Sequence, residues 1–338
     1  MHKRMSVRAA VRIAAALTFA VAAAPQVARA QFPARPQAIS VTAENDAFDF
    51  WMPPWDRPDQ EYTSGVRAAA TYVGRVRGRP WRWLLRDTTR ASTRRLSLGQ
   101  EIYTGRSVWP SETALPFAAQ PPQRPNAGWL FLEEAQRDSS ERVVEELSLA
   151  AGVVGPPALG ETMQRFFHSL GPEFQRSVDW HRQLPFEPGV LARYTRLDRL
   201  TTFGDGTQWH GMVRSIARAS VGTILVAAEG GGEARAEVVL GEGAAAADAP
   251  RLTFTTGATL RLVLRDEFLD GTFFRGSDRV PRRALVPTMM AGLAFEWRRM
   301  TIGYHANVVG KQYDGQAHHA SWGSLEASWR LEIGRAHV

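Results

Sequence analysis

What most constrains this chain is a pattern that recurs from end to end: segments of about ten residues in which apolar and polar side chains alternate, separated by turns or longer loops. Ala38–Glu44, Thr63–Val73, Arg94–Tyr103, Ala127–Ala135 and Arg142–Val153 come first. Leu191–Leu200, Trp209–Ala219, Val221–Ala228, Leu252–Arg265, Val286–Arg298, Thr301–Val309 and Trp322–Ile333 follow. A period of two is that of a β-strand with one apolar face. About twelve such strands, with no helical crossovers between most of them, leave two closed solutions, a sandwich or a barrel. Three features favour a membrane barrel. The strands approach the ~9–11 residues needed to cross a bilayer at a tilt. Their apolar sets are one-sided, as in Val66/Ala68/Ala70/Tyr72 and Leu260/Leu262/Leu264. Many of the 11 Trp residues, including Trp129, Trp297, Trp322 and Trp329, fall near segment ends, where interfacial girdles place them. The expected fold is all-β: a transmembrane antiparallel β-barrel of about twelve strands with a short helix in an extracellular loop.

Residues 1–30 read as an export signal: Lys3, Arg4, Arg8 and Arg12 precede the apolar run Ile13–Ala24, and Ala28-Arg29-Ala30 is an A-x-A cleavage site. Residues 31–338 then form the barrel domain. The signal holds five of the 41 Lys+Arg and no Asp or Glu, so the exported chain carries 36 basic against 34 acidic residues. That balance gives no reason to expect nucleic acid. The chain has no cysteine, so its stability comes from a core, a metal or the membrane rather than from disulfides. A bacterial outer-membrane location and a monomeric state are expected.

With the N-terminus of the first strand on the periplasmic side, strand parity puts Asn45/Asp46, Thr63, Gln100–Gly105, Arg124 and the loop after strand five on one outer rim. The long loops 47–61, 104–126 and 154–190 lie on that side, where functional residues concentrate. Arg75–Thr93 is too long for a periplasmic turn and has no account in the pattern.

One helix interrupts the β pattern, at Glu161–Leu170. At helical spacing Met163, Phe166, Phe167 and Leu170 form an apolar side expected to dock, and Glu161, Gln164 and His168 form a polar stripe. His168 is a candidate general base, since imidazole titrates near neutrality, with Gln164 placed to hold its water or its other ring nitrogen. Asn45 and Asp46 offer hard oxygen ligands for Ca²⁺, or alternatively ordinary turn chemistry. Thr63 has a hydroxyl able to position a carbonyl or a water. Arg106 and Arg124 are candidates for gripping lipid phosphates. No G-x-S-x-G, H-E-x-x-H or P-loop occurs.

Several ordered motifs resemble one family. Glu44-Asn45-Asp46-Ala47-Phe48, Tyr62-Thr63-Ser64-Gly65, Gly99-Gln100-Glu101-Ile102-Tyr103-Thr104, Arg124-Pro125-Asn126-Ala127-Gly128-Trp129-Leu130, Gln164 with His168, and Trp180-His181-Arg182-Gln183-Leu184 are similar to signatures of the outer-membrane lipid A 3′-O-deacylases. Ser64 stands where that family usually has Asn, and Asn126 where it has Tyr. The resemblance implies a twelve-stranded barrel with a rim site between wall and loop helix, and Ca²⁺-dependent hydrolysis of an acyl ester of lipid A in lipopolysaccharide. His168 would activate water, Asn45 and Asp46 would help hold calcium, Thr63 would line the site and Gln164 would support the histidine. The alternatives are a non-catalytic barrel, acting as a pore or a structural element, and an outer-membrane phospholipase.

Overall fold

The computed structural model describes residues 35–50, 61–74, 91–105, 123–169, 178, 180–206, 208–241 and 249–331. The expected export signal, Arg106, Leu170 and most of the Arg75–Thr93 connection lie outside the described residues.

Twelve antiparallel strands close into a barrel. They are β1 (Ala38–Asn45), β2 (Glu61–Val73), β3 (Ala91–Thr104), β4 (Ala127–Ser139), β5 (Val143–Val154), β6 (Glu187–Gly204), β7 (Trp209–Gly222), β8 (Leu225–Val239), β9 (Arg251–Asp266), β10 (Leu285–Trp297), β11 (Met300–Val309) and β12 (Ala320–Arg330). Each strand pairs with its sequence neighbours, and β1 closes the ring on β12 through Ala38↔Arg330 to Asn45↔Gly323. Closure leaves no strand edge unpaired, which is the condition for a sheet to sit in hydrocarbon. No described helix is long and apolar enough to cross a membrane. Two short helices lie in outer loops: α1 (Gly160–His168) and α2 (Glu267–Asp270).

The alternation in sequence becomes two chemically opposite surfaces. Leu260, Leu262 and Leu264 of β9 are exposed on the outer face, as are Leu98, Leu132 and Met289 on other strands. Between them in sequence, inward residues pair their charges from strand to strand. Arg67 meets Glu133 at 2.7 Å, and Arg218 and Arg261 both reach Glu229 at 2.9 Å. Charges withdrawn from bulk water are costly unless paired, and for these the barrel supplies a partner on a nearby strand. A lumenal cavity of about 640 Å³ remains among them.

Its outer end is roofed by aromatic rings. Trp322 packs on Tyr62 (4.6 Å between ring centroids), Tyr62 on Tyr103 (5.4 Å), and Tyr103 stacks on Phe268 of α2 (4.2 Å). Trp129 joins Phe268 in the principal apolar cluster. The girdle reading of the tryptophans therefore holds only in part. Trp297 and Trp329 are exposed at the inner rim, whereas Trp129 is buried inside the barrel and Trp322 is part of the roof. Strand-end position alone does not distinguish an outward ring from an inward one; the parity of the residue does.

Because Leu260 faces lipid near the middle of β9, Leu260→Arg is expected to destabilise the barrel by about 2–4 kcal/mol. Reversible urea unfolding in lipid vesicles, compared with the natural chain, measures this.

Candidate active site

The outer rim between β1 and β4 carries the residues singled out in the sequence, and the register shows which way they face. Glu44, Glu101 and Trp129 line the lumen, so their neighbours Asn45, Gln100 and Gly128 face outwards. Across the strands the pairs Asn45↔Ser64, Ser64↔Ile102 and Ile102↔Gly128 make one outward row. Three strand spacings put Asn45 about 14 Å from Gly128. Although Ser64 and Ile102 face away from the lumen, they are only 4% and 1% exposed. This patch of wall is covered.

Part of the cover is α1 with the turn before it. Gln100 donates its side-chain N–H to the carbonyl of Ala158 (2.5 Å), tying the turn to β3. On β4, Gly128 lets the chain come close: a Cβ there would lie 3.1 Å from both the Ala158 methyl and the Gly160 nitrogen. Gly160 is equally constrained, since its Cβ would meet the Trp180 ring at 2.8 Å. Trp180, buried, also donates its indole N–H to Gln164 Oε1 at 2.7 Å. One indole thus touches α1 at two positions a turn apart. The helix enters through Leu159, a non-glycine residue in the left-handed region (φ 60°, ψ 25°) with no side-chain cap, a conformation kept only where packing enforces it.

This docking differs from the sequence expectation. Among the described side chains and glycines of α1 the buried positions are Gly160 and Gln164, and Phe166 is exposed. A glycine-to-glycine contact on the wall replaced bulky apolar packing, so a polar glutamine, satisfied by an indole, became the inner face. Gln164 Oε1 is accordingly committed to Trp180. His168 is the last residue of α1; its imidazole lies outside the described side chains, while its backbone belongs to the same rim as Asn45.

Asn45 caps the 3-10 turn Asp46–Phe48 by accepting from the Ala47 N–H at 2.7 Å. Its oxygen is therefore fixed at the strand end, with the Asp46 carboxylate next in the chain. Thr63 sits at a β-bulge, where the β2–β3 register slips between Tyr62 and Ser64. Bulges re-aim a side chain, and here the Thr63 hydroxyl meets that of Thr104 at 2.5 Å, both buried. As a donor set for calcium these are hard oxygens of the right kind, an amide, a carboxylate and backbone carbonyls at one strand end. Among the described residues no three His, Cys, Asp or Glu side chains gather into a metal cluster.

Arg124 requires a correction. It was a candidate for gripping a surface phosphate, yet it is 2% exposed, pairs with Glu61 at 3.3 Å and lies over the Tyr103 ring at 4.6 Å. Glu61 in turn accepts from the Tyr313 hydroxyl at 2.7 Å. The guanidinium joins three outer segments below the rim and cannot reach a lipid headgroup. Its flanking prolines and aromatics do not reveal that; only closure of the ring brings Glu61 and Tyr313 to it.

Sequence reasoning also missed Glu267. It is fully buried, and neither carboxylate oxygen has a hydrogen-bond partner among the described residues. Burial, then the nearby Glu187 carboxylate, push its pKa up to about 8. Glu187 accepts from the backbone N–H groups of Phe273 and Phe274, which holds its charge close by. Near neutrality Glu267 is thus mostly protonated in the folded chain and ionised in the unfolded one. The folded state binds more protons, so this group's contribution to stability is greatest at low pH and declines as pH rises from about 4.5 to about 8. Glu267→Gln should flatten that decline, stabilising the protein by on the order of a few kcal/mol at pH 9 and little at pH 5. Urea midpoints at the two pH values decide it.

Trp180→Phe keeps the packing but removes the donor to Gln164, and is expected to loosen α1 by about 1 kcal/mol. Gly160→Val, which forces the ring and the wall apart, should do more. Limited proteolysis of the β5–β6 loop, with heat-modifiable barrel mobility as the control for folding, reads both.

Comparison with known proteins agrees with this fold. Residues 13–331 match the family model described as outer membrane protein LpxR. Among solved structures, LpxR from Salmonella typhimurium superposes with a TM-score of 0.69 at 14% identity, over 87% of this chain and 100% of that one. The β domain of the Bordetella autotransporter BrkA covers 87% of this chain and 98% of its own at 8% identity, with a TM-score of 0.43. No protein of curated function matched by sequence. The fold is that of the Salmonella barrel, and with nearly the whole chain inside the family model, this protein belongs to the LpxR family of outer membrane proteins.

Proposed function

We propose that this protein is an outer-membrane lipid A deacylase that hydrolyses the 3′-linked acyl ester of lipid A, with His168 as general base. The observation that carries the reading is the shared outward face of one rim: Asn45 and the bulge at Thr63 lie on the same wall on which Gly128 seats the helix ending in His168. Membership of the LpxR family supports it.

The chemistry asked of the chain is modest. His168 would take a proton from water as that water attacks the ester carbonyl, and return it to the sugar oxygen when the acyl chain leaves as a carboxylic acid. Imidazole suits both transfers near neutral pH. Gln164, held by Trp180 through Oε1, would support the histidine by fixing the roll of the helix. The Thr63–Thr104 hydroxyl pair would line the wall side of the site. Ca²⁺, held by Asn45 and Asp46, would supply polarisation of the ester carbonyl when bound. Residues 1–30 would direct export and be removed, and the barrel would act as a monomer.

A conducting pore fits less well. Arg–Glu pairs such as Arg67–Glu133 and Arg261–Glu229 line the lumen and aromatic rings roof the outer end, while the candidate residues lie outside the wall.

Mass spectrometry of lipid A from cells expressing the protein should show loss of the 3′-linked acyl group, suppressed by chelator and restored by calcium. His168→Ala is expected to lower the rate by at least 10²-fold while the barrel still folds. Unchanged lipid A with fatty acid released from glycerophospholipid would overturn the assignment of substrate.

A further inference from the structure

The way α1 sits on the wall divides its circumference into three. Successive residues turn by roughly 100°. With buried Gly160 and Gln164 set against the wall, Leu159, Met163, Phe166 and Phe167 fall on one flank, and Glu161 and Arg165 on the other. The apolar flank is open: Leu159 and Phe166 are 52% and 55% exposed, with Met163 and Phe167 half-buried. The polar flank is closed on itself by an Arg165–Glu161 pair at 2.6 Å. The wall beneath gives the direction. Gln100, which ties down the turn before the helix, is followed two residues further into the membrane by Leu98, and Leu98 pairs with Leu132. Both leucines face outwards and are exposed, so the lipid-facing belt reaches to within about 7 Å of the helix seat.

We propose that α1 is an interfacial helix whose Leu159/Met163/Phe166/Phe167 flank rests in the acyl layer of the outer leaflet, with Glu161 and Arg165 on the water side. The occupant is lipid acyl chain, since the flank is apolar, exposed at Leu159 and Phe166, and continuous with a surface that already meets lipid. Exposed phenyl and leucyl groups stabilise such a position; facing water they would cost free energy. Given the deacylase reading, on which this part alone rests, a substrate ester reaches the rim sideways from the leaflet, without leaving the membrane.

The absence of cysteine makes the test direct. Phe166→Cys and Arg165→Cys, each labelled with an environment-sensitive fluorophore, are reconstituted into nanodiscs containing doxyl-labelled phospholipid. Quenching several-fold stronger at position 166 than at 165 is expected; equal or reversed quenching overturns the proposal. A second measurement uses a double variant, Leu159→Ser with Phe166→Ser. Its deacylation of lipid A in bilayers should fall several-fold more than its deacylation of detergent-dispersed lipid A, and an equal fall would overturn the lateral route. If the natural chain deacylates nothing while the quenching asymmetry stands, the interfacial helix is upheld and the deacylase reading fails.

Discussion

Closure of the sheet is the constraint from which the rest follows. In hydrocarbon an unpaired backbone N–H or C=O costs several kcal/mol, so twelve strands must return to their first, and β1 does so on β12. Once the ring is shut, each strand has one face to lipid and one to the lumen, with no third environment. A one-residue change of register would move Asn45 inside and Glu44 outside. Placement of the candidate site is thus set by the same hydrogen-bond ladder that makes the protein stable in a membrane.

The two faces divide the work. Inside, arginine and glutamate neutralise one another, and the roof of Tyr62, Tyr103, Phe268 and Trp322 closes the outer end of the cavity. Arg124, Glu61 and Tyr313 bind three outer segments together on the outer side of that roof. These contacts tie the rim together. Outside, Gly128 leaves a break in the row of outward side chains, and the loop helix lies close against it. A site made between a rigid wall and a separately seated helix can be precise on one side and adjustable on the other, which suits a large amphiphilic substrate.

Much of this was legible in the sequence, for a reason that can be stated. Alternation and strand length are local properties, so the number of strands, their parity and the clustering of Asn45, Thr63 and the helix on one rim followed from counting. Lipid-facing sets such as Leu260/Leu262/Leu264 were equally plain. What escaped were facts made by closure. Trp129 sits at a strand end as a girdle residue would, yet its parity turns it inwards. Arg124 acquires its partners only when Glu61 of β2 and Tyr313 of the last outer loop come alongside. The buried carboxyl of Glu267 gives no sign in its short acidic segment. The helix was found, with the wrong face assigned to the wall, because apolar periodicity identifies an amphipathic element but not which of two apolar media it will meet.

That last ambiguity is general for membrane proteins and is resolved here by small residues. In water, the apolar stripe of a helix must be the docked stripe, because only protein offers escape from solvent. Beside a bilayer, lipid offers the same escape, so apolar side chains lose their power to say where the protein contact lies. Close packing then decides, and glycine permits the closest packing. Gly128 and Gly160 bring backbone to backbone, Trp180 fills the angle beside them, and Gln164 is satisfied by the indole in place of water. The phenylalanine that looked like a core residue is left over for the leaflet. A reader of such sequences does better to ask first where the glycines are opposed, and only then where the phenylalanines point.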